Sequence, residues 1–95
     1  MESVTEEVAP ADVMDPVASV YPNPVKDLVT LHVKNAVISA EQVQVIDSYG
    51  KLYQVKVKLI SEHSLEVDLT RMSTGMYIIR AKVDNGFKTF RVMKQ

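Results

Sequence analysis

Three observations predict an all-β fold for this chain. Apolar and polar residues alternate with a period of two through most of the sequence from Val17 onward. Residues typical of turns interrupt this alternation at short intervals. The 95 residues, 46% hydrophobic and 24% charged, suffice for one modest hydrophobic core and have the balance of an ordinary globular protein. We therefore expect one small domain built from short strands.

The alternation divides the domain into about seven predicted strands. Their approximate bounds are residues 17–21, 28–34, 42–48, 51–60, 64–69, 76–84 and 87–94. The positions expected to face the core are Val29, Leu31, Val33, Tyr53, Val55, Val57, Leu59, Leu65, Val67, Leu69, Tyr77, Ile79, Ala81, Val83, Phe90 and Val92. In the last strand, Arg91, Met93 and Lys94 are expected on the opposite, solvated face.

Two turns have clear sequence signals. Gly50 ends the segment that contains Asp47, and glycine there supplies the positive φ of a tight hairpin. Asn85 and Gly86 predict a second hairpin, with a type I′ turn that needs positive φ at both central residues. Both turns connect neighbouring strands, so antiparallel pairing is expected.

Seven short antiparallel strands, each with one apolar face, predict an immunoglobulin-like antiparallel β-sandwich. A single open sheet would leave its apolar face in water, whereas two packed sheets bury it. A helix is the competing interpretation for residues 36–45, because Val37, Ala40 and Glu41 have partly helical spacing. Val, Ile and Gln dominate this segment and no capping box precedes it, which favours a strand.

The charge distribution separates a short leader from the domain. Residues 1–16 hold five acidic residues and no Lys or Arg. The other residues hold all 11 basic residues and seven acidic ones, a formal charge of +4. Because the leader also contains two prolines and no sustained period, we expect residues 1–16 to form a flexible acidic linker and residues 17–95 the folded domain.

The sequence disfavours an enzyme, a metal site and a cofactor site. There is no cysteine for a disulfide, thiolate ligand or nucleophile. The two histidines, His32 and His63, are expected to be solvated, and His63 between Ser61 and Ser64 lacks the geometry of acyl-transfer catalysis. Three dispersed glycines make no phosphate-binding loop, and a mild positive charge without a stacking platform disfavours nucleic acid.

Five short motifs occur in a fixed order along the domain. They are Tyr21-Pro22-Asn23-Pro24, then Val45 to Lys51 with Asp47 and Gly50, then Val67-Asp68-Leu69, then Met72 to Ile78 with Gly75 and Tyr77, and finally Lys88-Thr89 with a basic end at Lys94-Gln95. In this order the motifs resemble the type A C-terminal sorting domain of type IX secretion system cargo proteins. The resemblance covers residues 17–95.

The resemblance implies a non-catalytic secretion signal. A cargo domain N-terminal to this one would cross the periplasm and be directed through the type IX outer-membrane translocon to the cell surface or the medium. A sortase would normally remove the domain by cutting in the linker. The partners implied are the translocon, the sortase machinery and the cargo, without a cofactor, metal or nucleic acid.

Two sets of residues follow from the resemblance. Those expected to maintain the recognised shape are Tyr21, Pro22, Asn23, Pro24, Asp47, Gly50, Gly75 and Tyr77. Those expected to be recognised by the translocon on the last strand are Lys88, Arg91, Val92, Lys94 and Gln95. The first set is more simply explained by packing, as turn and core residues. For the second set, an edge strand protected by positive charge is the structural alternative.

Other functions stay open at this point. An immunoglobulin-like adhesive or spacer module would bind a surface protein or a glycan, for which Tyr49 and Phe87 at turn tips are the aromatic candidates. A further alternative is an uncleaved domain of the surface attachment machinery. Short hinge loops and an edge strand also predict exchange of the terminal strand in a strand-swapped homodimer.

Overall fold

The computed structural model describes residues 18–95, and the predicted linker over residues 1–16 lies outside them. The described chain folds into strands connected by turns, and no helix in it is long and apolar enough to span a bilayer. In chain order the strands are β1 (Ala18–Tyr21), β2 (Leu28–Val33), β3 (Ile38–Asp47), β4 (Leu52–Tyr53), β5 (Val57–Ser61), β6 (Ser64–Asp68), β7 (Gly75–Val83) and β8 (Gly86–Lys94).

The strands form two antiparallel sheets of four. The first sheet has the order β1-β2-β6-β5 and the second has the order β4-β3-β7-β8. All strand pairs within the two sheets are antiparallel. This arrangement confirms the all-β sandwich that the period-two alternation predicts.

The core lies between the two sheets and is made of the inward faces of their strands. Its buried residues are Val25, Val29, Leu31, Val33, Ile38, Val45, Leu65, Val67, Leu69, Tyr77, Ile79, Ala81, Val83, Phe90 and Val92. The alternation in the sequence identifies most of them, because successive side chains of a strand point to opposite faces of its sheet. The exception is the predicted strand 51–60, where Tyr53, Val55 and Val57 are half-buried and Leu59 is exposed.

The strand bounds differ from the sequence prediction in two places. β3 begins at Ile38, so the alternative helix over residues 36–45 is wrong. An irregular register between Ser39 and Gln44 interrupts the alternation in β3, which hides the first part of this strand from a period-two pattern. The predicted strand 51–60 is two strands, β4 and β5, because residues 54–56 leave the sheet, and the described chain therefore has eight strands.

Both predicted hairpins are present, but one turn is displaced by a residue. Gly50 has a φ of 85°, as predicted for the β3–β4 hairpin. In the β7–β8 hairpin Val83 pairs with Gly86, so Asp84 and Asn85 are the central residues. Asp84 holds the positive φ, at 54°. The predicted type I′ turn centred on Asn85 and Gly86 is therefore wrong, and Asp84 is suited to its place because aspartate tolerates the left-handed region.

The pairing of β7 with β8 defines the two ends of the sandwich. Gly75 lies opposite Lys94 at one end, and Val83 lies opposite Gly86 at the other. Asp47, at the end of β3, lies opposite Tyr77. We call the end that holds Gly75 and Lys94 the C-terminal pole, and the end that holds Val83 and Gly86 the opposite pole.

Candidate functional site

The candidate site lies at the C-terminal pole, where the first motif docks on the last strand. The Asn23 side chain accepts a hydrogen bond from the Met93 amide at 3.0 Å and donates one to the Arg91 carbonyl at 3.2 Å. Asn23 thus occupies the outer edge of β8 as a paired strand would, because its amide group offers the same donor and acceptor as a peptide bond. The motif is therefore a cover for the edge of the terminal strand.

Val25 continues this cover with its backbone. Its amide donates to the Met93 carbonyl and its carbonyl accepts from the Gln95 amide, both at 2.8 Å. The resulting bridge between Val25 and Lys94 is parallel, and the Val25 side chain is completely buried. Val25, near the start of the domain, thus holds Met93, Lys94 and Gln95 in place through backbone hydrogen bonds.

The Asp47 carboxylate organises the β3–β4 turn. One of its oxygens, Oδ1, accepts hydrogen bonds from the amides of Tyr49 and Lys51, each at 2.9 Å. The Gly50 amide donates to the Asp47 carbonyl at 3.0 Å, which closes the turn. The aspartate and the glycine of this motif are thus a hairpin device, as their spacing predicts.

An aromatic cluster connects that turn to β7. The Tyr53 hydroxyl donates to Oδ2 of Asp47 at 2.9 Å, and its ring meets the Tyr77 ring edge-on at 6.3 Å. Lys51 places its ammonium 5.2 Å from the centre of the Tyr53 ring. Tyr77, which is 3% exposed, donates its hydroxyl to the Ser73 carbonyl at 2.7 Å. The buried Tyr77 side chain therefore connects the turn before β7 to the core, and its hydroxyl has a hydrogen-bond partner there.

These hydrogen bonds shift two ionisation equilibria. The amide of Lys51 is the main cause that lowers the pKa of Asp47 below its ordinary value, since it stabilises the carboxylate. The same carboxylate raises the pKa of Tyr53, because the phenol donates a hydrogen bond to it. Both shifts stabilise the ionisation states that the cluster has at neutral pH, an anionic Asp47 and a neutral Tyr53.

Gly75 and Lys94 face each other where β7 begins and β8 ends. Gly75 has a φ of 153°, in a region that other residues rarely adopt. Lys94 is only 7% exposed and its ammonium donates to the Gln95 carbonyl at 3.1 Å. The expectation that Lys94 lies on the solvated face is wrong, because it shares the parity of Phe90 and Val92 and points between the sheets.

The structure gathers most of the predicted residues at the C-terminal pole. The first motif reaches it through Asn23, which is hydrogen-bonded to β8, and Asp47, Gly50, Gly75, Tyr77 and residues 91–95 lie at the same end. Lys88 does not join them, because it pairs with Ala81 towards the opposite pole. Val92 is buried, whereas Arg91 and Gln95 are exposed.

Sequence reasoning missed three residues of this site. Val25 looks like an ordinary apolar residue after the prolines, and Tyr53 lies outside the five motifs. Ser73 lies in the fourth motif but is not among its predicted shape residues. A usable signal exists for Tyr53, since it follows Asp47 by six positions across a tight hairpin. Val25 gave none, because its partners Met93 and Gln95 are brought to it by tertiary contacts. The partner of Ser73 is local, since Tyr77 follows it by four positions.

Both histidines are hydrogen-bonded. His63 lies in the surface turn between β5 and β6 with its side chain 40% exposed, as expected, whereas His32 on β2 is half-buried. His32 Nδ1 lies 2.8 Å from the Ser64 hydroxyl, and Ser64 is 8% exposed. His63 donates from Nδ1 to the Ala36 carbonyl, and its Nε2 lies 3.6 Å from a Glu62 carboxylate oxygen. Within residues 18–95 no group of three or more His, Cys, Asp or Glu side chains is placed to hold a metal ion.

Comparison with known protein families identifies the chain. The family described as "Secretion system C-terminal sorting domain" matches residues 19–95. The searches of curated proteins and of solved structures give no match. The family match covers nearly all of the described residues, including each motif that meets at the C-terminal pole. The chain therefore belongs to the family of C-terminal sorting domains of the type IX secretion system.

Proposed function

We propose that this domain sends an N-terminal cargo through the type IX translocon by presenting its C-terminal pole, and that a sortase then removes it by cutting in the linker. Family membership supports the coarser function, which is a C-terminal sorting signal for export to the cell surface or the medium. The single observation that carries the finer proposal is the docking of Asn23 and Val25 on the last residues of β8.

This docking gives the end of the chain a fixed form. An untethered terminal segment has many conformations, and a partner that binds it must supply the free energy of ordering it. Here hydrogen bonds from Asn23 and Val25 hold residues 91–95 in one conformation before any partner arrives. Preorganisation of this kind favours recognition by a binding surface.

The predicted recognition residues divide into two roles. Arg91 and Gln95 are exposed, so we assign them to direct contact with the translocon. Val92 and Lys94 are buried, so we assign them to holding the strand in place. Lys88, which lies nearer the opposite pole, is the member of the predicted set with the weakest structural support.

The position of Ala18 supports cleavage in the linker while the domain is held. Ala18 lies opposite Val33, whose amide donates to the His63 carbonyl. The neighbouring amide of Ile38 donates to Glu62, and Ile38 pairs with Val83 at the opposite pole. The chain thus enters the sandwich at the end away from Gln95. A translocon bound at the C-terminal pole leaves that end accessible to a protease.

The test is export of a fluorescent reporter fused to residues 1–95, in a bacterium with a type IX system. Its surface signal is compared with that of the same fusion ending at residue 90. We expect delivery of the first fusion and loss of delivery of the second. Intact-mass analysis of the delivered reporter should show a new end within residues 1–17. Delivery that survives the truncation contradicts recognition of the C-terminal pole, and delivery of the uncut fusion contradicts sortase removal.

A further inference from the structure

The outer face of the second sheet carries more positive than negative charge. Arg80 and Lys82 of β7 and Arg91 of β8 occupy outward positions, because each lies across from another outward residue in the strand register. The four described strands of this sheet contain only two carboxylates. Glu41 lies in the irregular part of β3, and Asp47 is bound in its turn. We call this surface the basic face.

The basic face has an apolar centre. Leu52 lies opposite Ile46, and Ile46 lies opposite Ile78, so three aliphatic side chains cross three adjacent strands. Met76 pairs with Met93 one step away on the same face. Leu52 is 56% exposed and the two methionines are 38% and 37% exposed. A contiguous apolar area rimmed by polar groups is typical of an interaction site.

One of the arginines is already held in a binding geometry. The Arg80 guanidinium lies 3.8 Å from the centre of the Phe87 ring, and its Nη1 donates to the Gln44 side chain at 3.3 Å. Stacking on an aromatic ring restrains the guanidinium and leaves other N–H groups available for a carboxylate. Less side-chain entropy is therefore lost when Arg80 binds an anion.

The outer face of the first sheet has a different character. Lys58 lies directly opposite Glu66, and the Lys56 ammonium helps to lower the pKa of Asp68 after the larger effect of the Thr70 hydrogen bonds. Positive and negative groups alternate there, as on an ordinary solvated surface. The first sheet therefore provides a matched control for the basic face.

We propose that the basic face docks on an acidic protein surface with an apolar centre, belonging to a component of the export apparatus. This inference rests on the proposed function and adds a second contact surface to the C-terminal pole. A second copy of this chain is a poor occupant, because its basic face would bring like charges together. Methionine, phenylalanine and arginine are enriched in protein–protein interfaces, which favours a protein over a lipid surface.

The test compares two charge reversals in the reporter fusion described above. R80E/K82E alters the basic face at a distance from the last residues. K56E/K58E makes the same change of charge at the edge of the first sheet, where Lys58 lies in β5 and Lys56 directly precedes that strand. We expect R80E/K82E to lower surface delivery about tenfold, because like charges would meet across the interface. K56E/K58E should stay within about twofold of the parent, because it lies outside the interface. Urea unfolding of the purified domains confirms that both variants fold.

A second pair of variants tests the apolar centre. L52S removes an exposed leucine of the basic face, and L28S removes one of similar exposure, 45%, from the outer face of the first sheet. We expect lower delivery for L52S than for L28S. When the parent fusion is exported normally, two results together overturn the proposal: equal delivery of R80E/K82E and K56E/K58E, and equal delivery of L52S and L28S. Failure of the parent fusion itself contradicts the proposed function instead.

A separate measurement tests whether the basic face binds a lipid membrane instead of a protein. The purified parent chain is sedimented with vesicles of phosphatidylglycerol and phosphatidylcholine at physiological ionic strength. We expect R80E/K82E to leave the amount of protein that sediments with the vesicles unchanged. Vesicle binding that depends on Arg80 and Lys82 would identify an anionic membrane as the partner and overturn the assignment to a protein.

Discussion

The side chain of Asn23 offers a sharp test of how the terminal strand is held. In N23A the Met93 amide loses its acceptor and the Arg91 carbonyl loses a donor. A net hydrogen bond contributes about 1 kcal/mol, so the loss of two should lower the free energy of unfolding by about 1–2 kcal/mol. Urea unfolding of the purified chain measures this difference.

Hydrogen exchange at the Met93 amide tests whether the loss of stability in N23A arises at the edge of β8. Without Asn23 this amide faces solvent at the edge of the sheet, so its protection should fall by at least about tenfold. N23D is the matched comparison, because one carboxylate oxygen still accepts from the Met93 amide, whereas the other replaces the donor to the Arg91 carbonyl and sets two acceptors against each other. We expect protection of Met93 to be retained in N23D. Unchanged protection in N23A would refute the role of Asn23 as an edge cover.

Further predictions concern the core, the turn and the pH dependence of stability. L65A should lower the free energy of unfolding in urea by about 2–5 kcal/mol, since it opens a cavity at a completely buried position. G50A should cost about 1 kcal/mol and G86A less, because of these two glycines only Gly50 has a positive φ, and a Cβ added at either would meet no atom within 4 Å. Because the pKa of Asp47 is lowered on folding, its stabilising effect is present above about pH 4 and lost as the pH falls through the folded-state pKa. The raised pKa of Tyr53 adds stability that is lost above about pH 10, and acid and alkaline unfolding curves of D47N should show both losses reduced.

The sequence predicts the strands well where one face of a strand is buried. Leu65, Val67 and Leu69 alternate with polar residues, and all three are buried. The pattern fails in β3, where an irregular register between Ser39 and Gln44 disrupts the period of two. It also fails for Lys94, because a lysine was expected to face solvent although its position in the alternation places it inside.

The site could be predicted only in part. The motifs were visible as short patterns, and local turn chemistry explained Asp47 and Gly50 correctly. Their meeting at one pole was not predictable, because Asn23 contacts residues 68 and 70 positions later in the chain. Such contacts follow from how the two sheets stack and which strands lie at their edges. A pattern of residue types does not specify that arrangement.

This domain is a C-terminal sorting signal for type IX secretion. The most direct measurement compares surface delivery of the reporter fused to residues 1–95 in two otherwise identical strains, one with the translocon and one without it. We expect reporter at the surface of the first strain and retention inside the second. Equal surface signal in both strains, or none in either despite a folded and expressed fusion, would contradict it.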